Sequence, residues 1–356
     1  MQPEEKPQQH IFVVAGMHRS GTSLTAALLQ DAGVHMGERL MGASYSNTKG
    51  HFEDLDFVEF HEDVLYSYGF SKAGWALEPG IEVPVQYQSQ AEQLAQQHAS
   101  QPLWGWKDPR TTLFLNFWAD TLPTAHFVFL YRAPWEVVDS LYRREDDLFY
   151  SNPNFALKVW MHYNQVVLDF CDRMPERSIL CHVDAIARDR THFIKQLAAK
   201  FDVPLTLPTE DIYDESLMGT QPPTSQRMLL LRRYFPEAID LYSRLEQHAH
   251  LKGAEDTEQR LKSASAEAAD YAGWSLQDWL DVRRLERELK FSKDNYQIAK
   301  TEVEQFHLQL IQTQAQLEQA QNIIAAMESS KFWQLRQKWM QLKQKLGRGG
   351  DGNTAF

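Results

Sequence analysis

Residues 11–30 read IFVVAGMHRSGTSLTAALLQ, and the succession of properties along them decides the fold. Ile11 to Ala15 is a continuous apolar run of the length that a strand buried on both faces shows. Thr22 to about Gln30 reads as a helix. Between the two lies a turn rich in Gly and hydroxyl residues. A buried strand feeding a helix through such a turn is the opening unit of a parallel sheet. It is also an anion site, since the free N–H groups of the helix start and the helix dipole both face the ligand.

Outward from this unit, comparable apolar runs recur at Leu103 to Trp106, His126 to Tyr131 and Ser178 to Val183, separated by helical patterns at Gln88 to Gln97, Trp135 to Asp146 and Asn154 to Arg173. Strands alternating with helices predict a three-layer α/β/α fold with a central parallel sheet, and the turn after the first strand makes it P-loop-like. With 43% hydrophobic and 24% charged residues, the chain can fill such a core. The expected divisions are a disordered tail over 1–10, an α/β domain over 11–252 and a charged, Ala-rich helical linker over 253–281. A coiled coil follows over 282–327, then a basic amphipathic helix over 328–348 and a disordered tail over 349–356.

The chain carries 36 Lys and Arg against 48 Asp and Glu, a formal charge of −12. A general nucleic-acid binder is excluded on that ground, because phosphate neutralisation needs a basic face; any anion site must be local. Cys171 and Cys181 have no zinc-ligand spacing, so no metal is expected and both read as buried thiols of a reducing compartment. The start, MQPEEKPQQH, lacks the basic and apolar regions of a signal peptide, and no apolar window reaches 18 residues. The expected location is cytoplasmic.

The turn has the spacing GxxxxG followed by Thr22 and Ser23, nearly that of a nucleotide-triphosphate loop. Thr22 stands where that motif needs its Lys, and the cation comes three residues earlier as Arg19. The strand His126 to Tyr131 is followed by Arg132 instead of the Asp that would hold Mg²⁺. Such a site meets a nucleotide's charges with side chains. Asp184 keeps a triphosphatase or small-molecule kinase as an alternative, and a non-catalytic coiled-coil scaffold is another.

His18 to Leu24, HRSGTSL, resembles the 5′-phosphosulfate loop of sulfotransferases that use 3′-phosphoadenosine 5′-phosphosulfate (PAPS), bacterial types included. Arg132 and Ser140, eight residues apart in YRAPWEVVDSLYRR, match the family's 3′-phosphate motif. Trp106 to Arg110, WKDPR, looks like the KDP motif of the tyrosylprotein and bacterial branches. The three stand in the family's order and the resemblance covers residues 11 to about 235. It departs at two places: no RKG segment closes the 3′-phosphate site, where Arg227, Arg232 and Arg233 are candidates by position, and Pro109 occupies the place of the His in the KxH motif.

The resemblance implies that Arg19, Ser20, Gly21, Thr22, Ser23, Arg132 and Ser140 bind PAPS, with Arg19 and Lys107 also at the transferring group. An acceptor hydroxyl needs a base. The segment Asn47 to Asp54 lies where several branches place a catalytic Glu. Glu53, beside Phe52, is first choice, then His51 and Glu38; Glu53 and Asp54 equally fit an N-cap before a helix at Asp56 to Tyr66. Arg110, Arg143 and Arg144 fit either a solvated helix or an acceptor cleft. His162, His182 and His192 share no ligand spacing and read as core or surface residues. Aromatics at Tyr66, Tyr68, Phe70, Trp75, Phe149, Tyr150 and Trp160 could stack on sugars, and the expected acceptor is a carbohydrate or glycolipid of the cell envelope.

From Val282 to Met327 the 3,4 spacing holds over fourteen seam positions, of which only Ser292 and Thr313 are polar. A seam of this length predicts a coiled coil of roughly 70 Å and at least a homodimer. Between Ser329 and Gly350 there is no acid, while Phe332, Trp333 and Trp339 alternate with Lys and Arg. This is the pattern of a helix lying on an anionic membrane surface. It is loosely similar to the SSKFW-type tails of bacterial envelope glycosyltransferases.

Overall fold

Four strands pair in parallel in the order β2-β1-β3-β4, with β1 His10–Gly16, β2 Leu103–Lys107, β3 Ala125–Tyr131 and β4 Ser178–His182. The computed structural model describes residues 9–42, 52–144, 147–208, 225–253 and 272–347. Register aligns Val14 with Lys107, Gly16 with Leu130 and Tyr131 with His182, so the C-terminal ends of all four strands lie along one edge. From β1 the chain runs to β2 on one side and from β3 to β4 on the other, so β1 and β3 flank a switch point of the kind that opens a crevice at this edge. His10, expected in the disordered tail, belongs to β1 and pairs with Leu103.

Helices cover both faces. The connections from β1 to β2 and on to β3 supply α1 (Thr22–Asp31), α2 (Leu55–Ser67), α3 (Gln88–Gln97), a 3₁₀ turn at Pro109–Phe114 and α4 (Leu115–Thr121). After β3 come α5 (Pro134–Tyr142), α6 (Asp147–Ser151) and α7 (Pro153–Arg173). After β4 come α8 (Val183–Arg188), α9 (Arg190–Phe201), α10 (Ser225–Tyr234), α11 (Pro236–His248), α12 (Ala272–Ser329) and α13 (Lys331–Gly347). Pro134 and Pro153 open α5 and α7, where the missing N–H leaves no bond unmade.

Alternation along β1 divides the core. Ile11, Val13 and Ala15 join a large aromatic cluster with Trp104, Trp106, Trp118 and Trp160, while Phe12 and Val14 join a smaller cluster with α1 and α9. Both sides of the strand are buried, as its unbroken apolar run predicts. Two expected boundaries move for local reasons. The run Ser178 to Val183 ends at His182, because the His182 ring accepts the N–H of Asp184 and opens α8. The helix expected from Trp135 to Asp146 ends at Tyr142.

The chain forms two compact units, Met1–Arg284 and Leu285–Phe356. The first extends beyond residue 252, since Leu276, Trp279 and Leu280 at the start of α12 are buried in the aromatic cluster. In the second unit the seam positions Leu289, Leu310 and Leu317 are each more than half exposed. The Ser330 hydroxyl accepts from the Trp333 amide at the start of α13. Among the described residues no helix is long and apolar enough to cross a membrane. The tails at 1–8 and 348–356, and 254–271 of the expected linker, lie outside the described residues.

Candidate active site

The turn after β1 is held by close backbone approaches. Gly16 has φ 128°, and a Cβ there would meet Leu130 O at 2.3 Å, so β1 leaves the sheet against β3. Gly16 N donates to Thr112 Oγ1 at 2.9 Å. Gly21, the N-cap of α1, has φ 92°, and a Cβ on it would lie 2.1 Å from Val183 Cγ2. Only glycine serves there. Arg19 also takes a positive φ, 68°, rare for a residue with a Cβ.

Three features of this turn fit an anion. No side chain caps α1, and the start of a helix offers backbone N–H groups to an anion. Ser20 Oγ is buried without a hydrogen-bond partner. The Arg19 side chain reaches α5, donating from Nε to Ser140 Oγ at 2.9 Å. Two segments matched separately in the sequence, HRSGTSL and YRAPWEVVDS, thus meet through a side-chain bond. Thr22 is buried and Ser23 half-buried at the helix start.

Lys107 ends β2, almost wholly buried, with Nζ 2.7 Å from Glu53 Oε1. Burial pushes the Lys107 amine below its ordinary pKa, against the pull of Glu53. Arg110 approaches the other Glu53 oxygen at 3.8 Å and pairs with Glu62 at 3.2 Å. Asp108 organises the motif: Oδ1 accepts from Arg110 N at 3.0 Å and Nη1 at 2.9 Å, and Oδ2 faces His61 Nδ1 at 2.8 Å. Trp118 Nε1, a donor only, gives its hydrogen to His61 Nε2 at 2.8 Å. Nε2 therefore carries the lone pair, and Nδ1–H must donate to Asp108. Burial works against the Asp108 charge, but Arg110 and His61 outweigh it and hold the carboxyl well below the usual range.

Arg132 follows β3. Its Nε donates to Glu136 Oε2 at 2.7 Å and its carbonyl accepts from Trp160 Nε1 at 3.1 Å. One residue before Ser140, the buried Asp139 carboxylate takes Arg227 at 3.0 Å, Arg143 at 3.1 Å, Trp279 Nε1 at 2.8 Å and the Nε of Arg283. Arg227 also lies over the Trp279 ring.

The sequence-predicted residues therefore fall into two joined pairs, Arg19 with Ser140 and Lys107 with Glu53, with Arg19 in the turn after β1, Ser140 on the helix after β3 and Lys107 at the end of β2. Phe52 does not provide the expected setting for Glu53: its ring packs against the smaller cluster of the opposite face, and the carboxylate faces two cations. Glu38 is exposed beside His35, and His51 lies outside the described residues. Trp75, Phe149 and Trp160 are core residues, leaving Tyr66, Tyr68 and Tyr150 exposed. Arg110 is buried in ion pairs instead of solvated, while Arg143, Arg144, Arg232 and Arg233 are exposed. His61 and Glu62 were not signalled by the sequence, because their partners lie 47 and 48 residues away and no local spacing marks them.

The model of a family described as the sulfotransferase family matches residues 11–208. Among solved structures, the sulfotransferase domain of the Synechococcus PCC 7002 olefin synthase is 16% identical, over 79% of this chain and 97% of that one, with a TM-score of 0.36. Sulfotransferase STF9 from Mycobacterium avium is 13% identical over 71% and 79%, TM-score 0.43. Sulfotransferase STF1 from Mycobacterium tuberculosis H37Rv is 14% identical over 60% and 72%, TM-score 0.41. No curated protein gives a significant match.

Proposed function

We propose, because the chain belongs to the sulfotransferase family, that its substrate pair is PAPS and a hydroxyl of a cell-envelope saccharide or glycolipid. The observation that carries the donor half is the Arg19–Ser140 bond, which joins the loop that resembles a 5′-phosphosulfate site to the helix that resembles a 3′-phosphate site. A ligand bearing phosphate at both ends of a nucleoside would span them. The unpartnered Ser20 hydroxyl and the uncapped start of α1 fit the 5′ end.

In this reading the amides of Gly21 to Ser23 and the hydroxyls of Ser20, Thr22 and Ser23 hold the 5′-phosphosulfate. Arg132 and Ser140 hold the 3′-phosphate. Sulfuryl transfer passes an SO₃ unit in line from one oxygen to another, and charge gathers on the leaving phosphate oxygen. Fixed donors aimed at that oxygen lower the barrier, as for phosphoryl transfer. Arg19 and Lys107 supply them. Glu53 keeps the buried Lys107 amine in position, so that the ammonium is aimed before substrate arrives.

The second unit suits assembly on a surface. A seam left largely exposed along α12 supports pairing over 282–327 in at least a dimer. On α13, Phe332, Leu335 and Trp339 are exposed among lysines, which supports contact with anionic lipid at the cytoplasmic face.

Titration calorimetry with 3′-phosphoadenosine 5′-phosphate (PAP) in EDTA tests the donor. Binding without Mg²⁺ and stronger than for ADP is expected; a Mg²⁺ requirement or equal ADP affinity overturns it. ³⁵S transfer from PAPS into an envelope extract then tests the acceptor class, and label in polypeptide alone overturns that half.

A further inference from the structure

His18, the loop residue between Met17 and Arg19, has no part in the reading so far, although it is only 8% exposed. Its ring centroid lies 4.6 Å from that of Trp75 and 5.8 Å from that of Tyr163, which meets it edge-on. The Tyr163 hydroxyl donates to Gly74 O at 2.8 Å and so fixes the backbone next to Trp75. The charged groups whose fields reach the ring are Lys107, Asp108 and Arg110 from the end of β2 and the turn after it, and Arg144 from just beyond α5. Within this cage Nε2 is buried and has no hydrogen-bond partner. A buried polar atom without a partner is costly, and one beside a phosphosulfate loop marks a place where a substrate group belongs.

We propose that His18 is the catalytic base of the transfer, taking the proton of the acceptor hydroxyl at Nε2. The proposal rests on the PAPS reading above. The acceptor oxygen bonds to sulfur, the sulfur–oxygen bond to the 5′-phosphate breaks with its electron pair left on the phosphate, and the acceptor proton moves to Nε2. The imidazolium then returns that proton to water. Glu53 is the less suitable base. Its Oε1 is held by Lys107 at 2.7 Å and its Oε2 faces Arg110, so protonation there would take from the buried Lys107 ammonium the carboxylate it is bonded to. Burial first, then Arg110, hold His18 well below the ordinary imidazole value, which leaves the ring neutral at pH 7. Asp108, a carboxylate among its charged neighbours, favours the imidazolium once it forms.

The test compares wild type with His18→Gln and His18→Asn, by PAP calorimetry and by ³⁵S transfer from PAPS to an envelope saccharide fraction and to 4-nitrophenol, which is ionised at mildly alkaline pH. PAP affinity is expected to stay within about tenfold, with transfer to the saccharide lowered on the order of 10² to 10⁴ and nearly all the loss in kcat. The acid limb of the wild-type kcat/KM profile, below pH 6.5, disappears, and transfer to the phenolate is largely kept. Near-native turnover on the saccharide, a persisting acid limb or equal losses on both acceptors overturns the proposal. So does loss of PAP binding in both variants, which would make His18 a structural residue. Failure of wild type to bind PAP overturns the donor reading itself, a result separable from all the others.

Discussion

Arg19 donates from Nε to Ser140 Oγ at 2.9 Å, so the loop after β1 and the helix after β3 share a bond between residues 121 positions apart. If both ends serve one donor molecule, the two residues are energetically coupled. A double-mutant cycle of Arg19→Ala and Ser140→Ala, read by PAP calorimetry, should give a coupling of about 0.5 to 3 kcal/mol. Arg132→Ala should cost roughly 2 to 5 kcal/mol of affinity, while Arg19→Ala lowers turnover more than binding. Additive behaviour of Arg19 and Ser140 would mean that the two motifs act separately.

Glu53→Gln leaves the buried Lys107 ammonium without its carboxylate. Breaking a buried pair costs about 3 to 5 kcal/mol, and urea denaturation should show a loss of that order together with lowered turnover. Glu53→Gln combined with Lys107→Met removes the stranded charge and should recover most of the stability while remaining inactive.

Gly21→Ala meets two obstacles, a φ of 92° and a Cβ that would lie 2.1 Å from Val183 Cγ2. The backbone conformation alone should cost about 1 to 3 kcal/mol. Val183→Ala in the same chain should return the part due to the clash and leave the rest, measured as two melting curves with PAP affinity beside them.

His182 is buried neutral, its pKa lowered to about 4 chiefly by burial, and its Nδ1 must stay unprotonated to accept the Asp184 amide. The unfolded chain takes up a proton near pH 6.5, before the folded one does. The contribution of this ring is thus fully present above pH 6.5 and lost as pH falls towards 4, a change of about 3 kcal/mol. Denaturation midpoints between pH 7 and 4 should fall less steeply in His182→Asn than in wild type.

Leu276, Trp279 and Leu280 each withdraw apolar surface into the aromatic cluster, worth roughly 1.5 to 3 kcal/mol apiece. A chain ending at residue 284 should keep wild-type PAP affinity, and one ending at 252 should melt well below it. Sedimentation should find chains ending at 327 dimeric or larger and those ending at 284 monomeric. Flotation with anionic liposomes should need residues beyond Met327; equal flotation of full-length and 327-residue chains removes the membrane role.

The sheet was legible because a strand buried on both faces leaves a continuous apolar run bounded by turn residues, and β1, β2 and β3 appear within a residue or so of their reading. The turn after β1 was legible because Gly16 and Gly21 take positive φ values that suit glycine. What escaped the sequence depends on distant partners. Glu53 was singled out for its neighbour Phe52, yet its environment is set by Lys107, 54 residues on. The chain from Arg110 through Asp108 and His61 to Trp118 exists only after α2 packs across the 3₁₀ turn and α4. The composition shift after Gly253 suggested a linker, and the apolar anchors beginning at Leu276 lie too close to the heptad to stand apart from it.

The convergence on Asp139 has a consequence for rates. Three guanidiniums, from Arg143, Arg227 and Arg283, meet one carboxylate beside Ser140, while the molecule as a whole carries −12. A polyanion approaching from afar is repelled by the whole and attracted only within the last Debye length, about 8 Å at physiological ionic strength. Added salt weakens the long-range repulsion before it touches the short-range attraction. Donor association should therefore speed up on going from very low to moderate salt and slow down only beyond it, a maximum that stopped-flow mixing would resolve.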